Sequence, residues 1–161
     1  MNGKLNSMRV LERQQIPYTV HEYDPTLPDA VAVAEAIGMP AAHVFKTLVA
    51  KSDRPLLAMV PSHCQLDLKR LAVLAGVKRI EMAPHIEAER LTGLRVGGIG
   101  ALALIAKRWP SYLDESALVQ PKICVNAGQR GVMIGIAPSD LVRVVGATVG
   151  AIAACVSPLS S

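Results

Sequence analysis

Cysteine is scarce in this chain, and its few positions are poorly suited to cross-linking. Cys64, Cys124 and Cys155 are odd in number, unevenly spaced and form no C-x-x-C pair. This pattern argues against a disulfide framework and against a structural zinc site. A reducing compartment therefore fits the cysteine usage best.

Long apolar runs are also lacking. No run reaches the roughly eighteen residues that a membrane span needs. Residues 1–5 contain no apolar core of the kind found in a signal peptide. Together with the cysteine usage, these absences lead us to expect a cytoplasmic protein with no membrane partner.

Several familiar site motifs are missing as well. The glycines match neither G-x-G-x-x-G nor G-x-x-x-x-G-K-[ST], and no G-x-S-x-G is present. The four histidines have no metal-ligand spacing, so the sequence predicts no metal and no cofactor. His63 and Cys64 are adjacent, and side chains of neighbouring residues diverge in an extended chain, so we do not predict a nucleophilic pair.

The composition is that of one folded domain. Hydrophobic residues make up 51% and charged residues 19% of the 161 positions, which is enough to bury a sizeable core. We expect a single domain over residues 1–161, with its core at about 5–150 and a frayed tail beyond Ala154.

The charge balance is modestly basic. The net charge is +4 and the sequence pI is about 9.2, which favours polyanionic partners. If the basic residues share one face of the molecule, they would form a positively charged track for a phosphate backbone. The alternative is that they are scattered, solvated surface charges. The basic positions are Lys69, Arg70, Lys78, Arg79, Lys107, Arg108, Lys122, Arg130 and Arg143.

Local patterns predict helices mixed with β-hairpins. Helices are predicted at 7–15, 29–37, 67–75, 84–91 and 141–145, the last capped by Ser139 or Asp140. Strands are predicted at 18–23, 44–50, 56–60, 77–82, 112–113, 118–119, 122–126 and 132–136. Residues 101–106 fit either a strand or a short helix. The fold class is therefore α/β, a mixed and largely antiparallel sheet flanked by helices.

Lys46 interrupts the apolar strand predicted at 44–50. Burying an unpaired ammonium group is costly, so this lysine must snorkel, find a partner or face a polar cavity. Two interpretations stay open. Lys46 is either a surface lysine on an edge strand or a cation that holds a phosphate or carbonyl oxygen.

A glycine-rich stretch follows the fourth predicted helix, with four glycines in the eleven residues 92–102. Without a Cβ, backbone N–H groups can converge on an anion or a polarised carbonyl, so we interpret it as a ligand-facing loop. The alternative is a tight turn or bulge between buried strands. Asp140 lies at a predicted helix start, where a carboxylate is ordinarily a cap.

Five stretches together resemble the YbaK family, the free-standing relatives of the prolyl-tRNA synthetase editing domain. They are VFKTLV at 44–49, QLDLK at 65–69, VKRIEMA at 77–83, TGLRVGGI at 92–99 and NAGQRG at 126–131. The resemblance spans about residues 5–150, in the same order and with similar spacing. It implies a single α/β domain that deacylates mischarged aminoacyl-tRNA, with Cys-tRNA(Pro) the usual substrate. It also implies a possible prolyl-tRNA synthetase partner and a monomer or weak homodimer.

The resemblance also implies the site residues. Lys46 matches the essential lysine of the family. The catalytic loop is Gly97, Gly98, Ile99 and Gly100, and the implied substrate-binding residues are Tyr23, Thr47, Ala101 and Asp140. The family loop usually reads Gly-x-x-x-Pro, whereas this chain has Ala101 at the last position, which leaves the loop less constrained.

These parts predict a mechanism without a protein nucleophile. Loop N–H groups polarise the ester carbonyl while Lys46 neutralises phosphate charge. By the family resemblance, the thiol of a cysteinyl substrate attacks its own carbonyl, and a bound water attacks in other substrates. The cysteines of the chain are therefore expected to be dispensable.

Two further hypotheses compete with the enzyme. The first is a non-catalytic module that binds tRNA or nucleotides on the same fold, for which Ala101 is the best support. Salt-sensitive tRNA binding without ester cleavage would favour this module. The second is an interaction protein that uses an apolar sheet edge.

Overall fold

The computed structural model describes residues 4–155, so the predicted fraying of the tail falls on residues outside the described part. The helices are α1 (Asn6–Arg13), α2 (Ala30–Ala36), α3 (Leu68–Ala75), α4 (His85–Thr92) and α5 (Pro138–Val145). The strands are β1 (Thr19–Glu22), β2 (Phe45–Lys51), β3 (Pro55–Pro61), β4 (Gln65–Leu66), β5 (Glu81–Met82), β6 (Ser111–Asp114), β7 (Ile123–Asn126), β8 (Val132–Ile136), β9 (Thr148–Gly150) and β10 (Ala153–Ala154). None of the helices in this range is long and apolar enough to cross a membrane.

The strands form three sheets. A five-stranded sheet has the order β5-β2-β3-β6-β9, with β2 antiparallel to its neighbours and β3, β6 and β9 parallel. A three-stranded antiparallel sheet has the order β1-β8-β7, and β4 pairs with β10. Both predicted hairpins, β2-β3 and β7-β8, are confirmed. The predicted mixed α/β class is also confirmed, although its strands are divided among three sheets.

Most helix boundaries follow from residues that the sequence displays. The Asp29 carboxylate accepts a hydrogen bond from the Ala32 N–H at 2.9 Å and caps α2. Asp67 caps α3 in the same way, and α3 ends at Gly76, whose φ is +71°. The predicted cap of α5 is wrong. Pro138 is the first helical residue, so the cap position falls on Ala137, which has no side-chain acceptor.

Short elements account for the other wrong predictions. The strand predicted at 118–119 lies in a 3₁₀ helix, Glu115–Val119, whose first turn is capped by the Asp114 carboxylate. The strand predicted at 77–82 is reduced to β5. For residues 101–106, where the sequence fits either a strand or a short helix, the structure has short 3₁₀ helices. Strands β4, β9 and β10 span only two or three residues each, too few to show an alternating pattern.

The main core lies between the five-stranded and three-stranded sheets and is closed by α1 and α5. On β3, Leu57 and Met59 pack into this core, whereas Ala58 and Val60 belong to a second cluster that includes Leu71 of α3. This alternation is the period of a strand with two covered faces. It explains why β3 is a continuous apolar run.

A disulfide joins Cys64 to Cys155 across 91 residues, with their Cα atoms 4.4 Å apart. The sequence-based argument against a disulfide is therefore wrong. Spacing could not reveal the pair, because only the pairing of β10 with β4 brings Cys155 to Cys64. Cys124 is free and buried.

Asp114 fixes the chain at the start of β10. Its Oδ1 accepts hydrogen bonds from the backbone N–H groups of Ile152 and Ala153, both at 2.9 Å. Burial alone would raise the pKa of this carboxyl. The hydrogen bonds from Ser116, Ile152 and Ala153 together outweigh burial and hold the pKa below its ordinary value of 3.8.

We expect Asp114→Asn to lower the free energy of unfolding by about 1–3 kcal/mol, because one oxygen cannot replace both acceptors. The carboxylate contributes stability above pH 3.8 that is lost as the pH falls through its lower folded pKa. Urea unfolding at several acidic pH values should show this loss in the parent protein and a weaker one in the variant. Equal stability of the two proteins at neutral pH would contradict the assignment.

Candidate active site

A cavity of about 560 Å³ opens beside β2. Its walls come from β2, the segment before α2, the loop after α4, and the turn that joins β7 to β8. The lining includes Tyr23, Asp29, Lys46, Thr47, Gly97 and Arg130. Lys46 and Gly97, distant in sequence, therefore share one cavity.

The edge of β2 explains why this strand lines a cavity. β2 pairs with β5 only at Ala50 and Lys51, so no strand of that sheet covers this edge at Lys46 and Thr47. Successive side chains of a strand point to opposite faces. Both residues nevertheless line the cavity, because it opens along this edge.

Lys46 is half-buried, and its ammonium group forms no ion pair or hydrogen bond with any residue in the range 4–155. Burial lowers the pKa of its ammonium group, and the nearby charge of Asp29 partly opposes that shift. Lys51, on the same strand, instead contacts Glu87 at 2.9 Å. Of the two open interpretations, the geometry fits the cation that faces a cavity.

Thr47 is the second notable group of β2. The residue is 9% exposed, and its hydroxyl has no hydrogen-bond partner among the described residues. Buried hydroxyl groups are ordinarily paired, because leaving one unpaired costs about 1–3 kcal/mol. The hydroxyl oxygen itself has almost no exposed surface, so the Thr47 side chain must rotate before this group can reach a ligand in the cavity.

Three side chains hold the loop that follows α4. The Gly97 carbonyl accepts a hydrogen bond from Asn126 Nδ2 at 2.6 Å and one from the Tyr23 hydroxyl at 3.4 Å. Arg130 Nε donates to the Val96 carbonyl at 2.6 Å. Gly97 has a φ of +92°, which glycine adopts without strain.

Gly98 and Gly100, by contrast, are required for close packing. A Cβ on Gly98 would lie 2.8 Å from the Arg130 backbone nitrogen, and one on Gly100 would overlap the Asn126 carbonyl. Neither residue lines the cavity. The loop therefore combines both interpretations of its sequence, since Gly97 and Ile99 line the cavity while Gly98 and Gly100 lie against the β7-β8 turn.

The amide groups of the loop differ in availability. The Gly98 N–H donates to the Arg95 carbonyl at 2.7 Å, and the Val96 N–H donates to Glu89 Oε2 at 2.8 Å. Within residues 4–155, the N–H groups of Gly97 and Ile99 have no protein acceptor. Of the loop residues that line the cavity, Gly97 and Ile99 are thus the two whose N–H donor is unpaired within the described part of the chain.

Comparison with known proteins decides the family. The profile described as "Aminoacyl-tRNA editing domain" matches residues 24–144. The chain belongs to this family. An Enterococcus faecalis protein, EbsC, named as a candidate Cys-tRNA(Pro)/Cys-tRNA(Cys) deacylase, is 36% identical over 142 residues, which cover 86% of each chain. The predicted YbaK-type family and the predicted class of enzyme, an aminoacyl-tRNA deacylase, are confirmed.

Solved structures share the fold of this editing domain. The crystal structure of a candidate trans-editing enzyme for prolyl-tRNA synthetase has a TM-score of 0.78 at 25% identity, covering 93% of this chain and 98% of that one. The hypothetical protein APE2540 has a TM-score of 0.84 at 20% identity, covering 93% and 100%. The second likeness concerns the fold alone.

Not every predicted site residue of the editing domain reaches the cavity. Tyr23, Lys46, Thr47, Gly97 and Ile99 line it. Gly98, Gly100, Ala101 and Asp140 do not. Ala101 is buried in the main core, and Asp140 lies 3.0 Å from Arg143 in the first turns of α5.

Three residues of the site were not predicted as site residues. Asn126 and Arg130 position the loop, and Asp29 lies close enough to influence the Lys46 charge. The sequence did contain a signal for the first two, because the stretch 126–131 carries part of the family resemblance. Asp29 is a helix cap by its position, and nothing local marks it as part of a site.

Ala101, where the family usually has proline, stands at a position that accepts proline. It is the first residue of a 3₁₀ helix, and its N–H has no acceptor within the described residues. Gly100 before it is extended, with φ −142° and ψ 139°, as a residue preceding proline must be. We expect Ala101→Pro to raise the free energy of unfolding by about 0.4–1 kcal/mol and to leave deacylation unchanged.

Thermal and urea unfolding of the parent and the Ala101→Pro variant will measure this effect. Ala103→Pro, two residues further along, is the matched control. The Ala103 N–H donates to the Gly100 carbonyl at 3.1 Å, and proline would remove this hydrogen bond. A destabilised Ala101→Pro variant would show that the loop cannot accommodate the ring.

Proposed function

We propose that this editing domain acts in trans on mischarged tRNA and hydrolyses the ester of Cys-tRNA(Pro). One observation carries the proposal: Lys46, Gly97 and Ile99 line the same cavity, and the Lys46 ammonium and the two loop N–H groups have no partner among the described residues. The name of the EbsC relative supports the choice of substrate, since it specifies cysteinyl-tRNA.

The backbone N–H groups of the loop stabilise the carbonyl oxygen of the ester. With the ester carbonyl oxygen at the loop, the N–H groups of Gly97 and Ile99 donate to it and stabilise the negative charge that develops during attack. Hydrogen-bond donors that are already in position, in a site from which much of the water is excluded, can each lower the activation barrier by several kcal/mol. The hydrogen bonds from Asn126 and Tyr23 to the Gly97 carbonyl hold the loop in place.

Lys46 supplies positive charge in the same cavity. Within residues 4–155 its ammonium has no ion-pair partner, so we propose that it pairs with the terminal phosphate or ribose oxygens of the tRNA. The guanidinium of Arg130 lies at the same cavity and uses only Nε to hold the loop. Its other N–H groups have no acceptor within the part of the chain that the structure describes, so we propose that they contact the nucleic-acid backbone.

The attacking group comes from the substrate or from water. Among the described residues, no cysteine lines the cavity. In a cysteinyl substrate the thiol sulfur bonds to the carbonyl carbon, the ester C–O bond breaks, and the thiol proton goes to the departing ribose oxygen. Water then opens the resulting thiolactone to free cysteine. The prediction that the cysteines of the chain are dispensable for catalysis belongs to this mechanism.

Thr47 serves the aminoacyl group. When the side chain rotates toward the cavity, this hydroxyl, which has no partner among the described residues, can bond to the α-amino group or the thiol of the amino acid. Selection by size is weak, because one methylene is worth about 1–3 kcal/mol. A polar contact that only some side chains satisfy therefore contributes to selectivity.

The test is a panel of charged tRNAs incubated with the purified protein, with a known deacylase as a positive control. We expect cleavage of Cys-tRNA(Pro) and little cleavage of Pro-tRNA(Pro). α-Aminobutyryl-tRNA(Pro) replaces the thiol by a methyl group of similar size, so its resistance would indicate attack by the substrate thiol, and its cleavage would indicate attack by water. Salt-sensitive tRNA binding with no cleavage of any ester would overturn the enzyme in favour of a binding module.

We also propose that the protein works in the cytoplasm beside prolyl-tRNA synthetase. The relative described as a trans-editing enzyme for that synthetase supports this partner. Sedimentation of the purified protein with and without the synthetase and tRNA will test both this association and the expected monomer or weak homodimer.

A further inference from the structure

Three potential metal ligands gather at the end of β3, outside the candidate active site. They are His63, Cys64 and Cys155, and their ligand atoms all lie within 4.8 Å of one another. None of them lines the cavity beside β2. The cluster is therefore not explained by the proposed deacylation.

The fold brings these residues together by more than the disulfide. Ala153 and Ala154 of β10 pair with Leu66 and Gln65 of β4. Asp114 also accepts hydrogen bonds from the backbone just before Cys155, and Ile152 is fully buried. Because these contacts do not depend on the S–S bond, we expect the two sulfurs to stay adjacent after reduction.

We propose that the reduced protein binds a thiophilic divalent cation, Zn²⁺ in particular, through His63, Cys64 and Cys155. Two thiolates and one imidazole are ligands that zinc prefers. With Zn–S bonds of about 2.3 Å, two sulfurs of a tetrahedral site lie about 3.8 Å apart. A modest separation of the sulfurs after reduction reaches that distance, and a water molecule completes the coordination.

The exposure of the ligands allows a metal to enter. His63 and Cys155 are exposed, whereas Cys64 is 1% exposed, and the imidazole Nε2 lies 3.6 Å from Cys64 Sγ. The cation therefore approaches from solvent past His63 and Cys155, and the Cys64 sulfur lies below them in the protein interior. His63 supplies the third ligand, beside the two sulfurs.

Binding is coupled to the redox state of the pair. A dithiol reductant transfers two electrons to the disulfide, which gives two thiols and an oxidised reductant. Zinc then displaces one proton from each thiol. In the oxidised protein both sulfurs are bonded to each other, so the site lacks its thiolates and cannot hold the metal.

Cobalt(II) is the probe, because thiolate-to-cobalt charge-transfer bands report sulfur ligation directly. Protein reduced with a phosphine and freed of excess reductant should take up one Co²⁺ per chain, and Zn²⁺ should displace it. The air-oxidised protein should show no such bands. A reduced protein without thiolate-to-cobalt bands would overturn the proposal.

Variants separate this site from a general loss of structure. Cys155→Ser and His63→Gln change exposed side chains and should each weaken Zn²⁺ binding by at least about tenfold. Cys124→Ser alters the free cysteine outside the cluster and should retain the parent affinity, with circular dichroism confirming the fold of each protein. Equal affinity in Cys155→Ser and the parent would overturn the assigned ligands. Neither this readout nor its failure depends on deacylation.

Discussion

Lys46→Ala is expected to lower kcat/KM for Cys-tRNA(Pro) by more than about tenfold, because it removes a cation that the cavity otherwise directs at the substrate. The fold should persist. The Lys46 side chain has no ion pair or hydrogen bond with the described residues, so its removal leaves no partner unsatisfied. Single-turnover deacylation at saturating and subsaturating protein will separate binding from chemistry.

Lys51→Ala is the matched control for this substitution. Lys51 lies on the same strand but contacts Glu87 and does not line the cavity. We expect this variant to keep the parent rate. Unchanged turnover in Lys46→Ala, with folded protein shown by circular dichroism, would remove Lys46 from the site.

The pH dependence provides an independent check on the charge of Lys46. Its pKa lies below the ordinary 10.5 because burial disfavours the ammonium form, so raising the pH removes the cation earlier than in an exposed lysine. The enzymatic rate should therefore fall on the alkaline side. In Lys46→Arg the guanidinium stays charged, so this fall should move to higher pH. Identical alkaline limbs in the two proteins, after subtraction of spontaneous hydrolysis, would assign the fall to another group.

Gly100→Ala is expected to be the most destabilising substitution in the loop. The new methyl group would overlap the carbonyl oxygen of Asn126, which is backbone and cannot swing aside. Overpacking of this kind costs about 1–3 kcal/mol and occasionally more. We expect a loss of about 3 kcal/mol or more, together with loss of deacylation, because Asn126 also positions Gly97. Urea unfolding will measure the first effect and the tRNA assay the second.

Gly76→Ala is the control for Gly100→Ala. Gly76 has a φ of +71°, but a Cβ there meets nothing within 4 Å, so this variant should lose only the conformational cost of about 1–2 kcal/mol. Similar losses in the two variants would show that the loop shifts to accommodate the methyl group.

The sequence was most informative where one residue broke a strong local pattern. A lysine within an apolar strand is costly unless something polar faces it, so Lys46 could be selected before any coordinates were known. The β2-β3 hairpin and the Asp67-capped helix were also predictable, because their signals lie within a few residues of each other. Family resemblance then supplied the loop and the chemistry, which spacing could not.

The remainder depended on contacts between distant parts of the chain. No local pattern shows that Asn126 reaches Gly97 or that Cys155 meets Cys64. The roles of Gly98 and Gly100 could not be predicted from local sequence either. Glycine is required both where another backbone segment packs closely and where a ligand approaches the backbone. Only the position of residues 126–130 shows which glycines face protein and which one faces the cavity.

Asn126 joins two turns of the chain with one side chain. Its Oδ1 accepts from the Gly128 N–H at 2.9 Å, within its own hairpin, while its Nδ2 holds the Gly97 carbonyl. The shape of the loop at residues 97–100 thus depends on the β7-β8 hairpin, which lies elsewhere in the sequence. To redirect substrate choice, residues 97–101 and 126–131 should be varied together. Variants confined to 97–101 would leave unchanged the hairpin that determines the conformation of the loop.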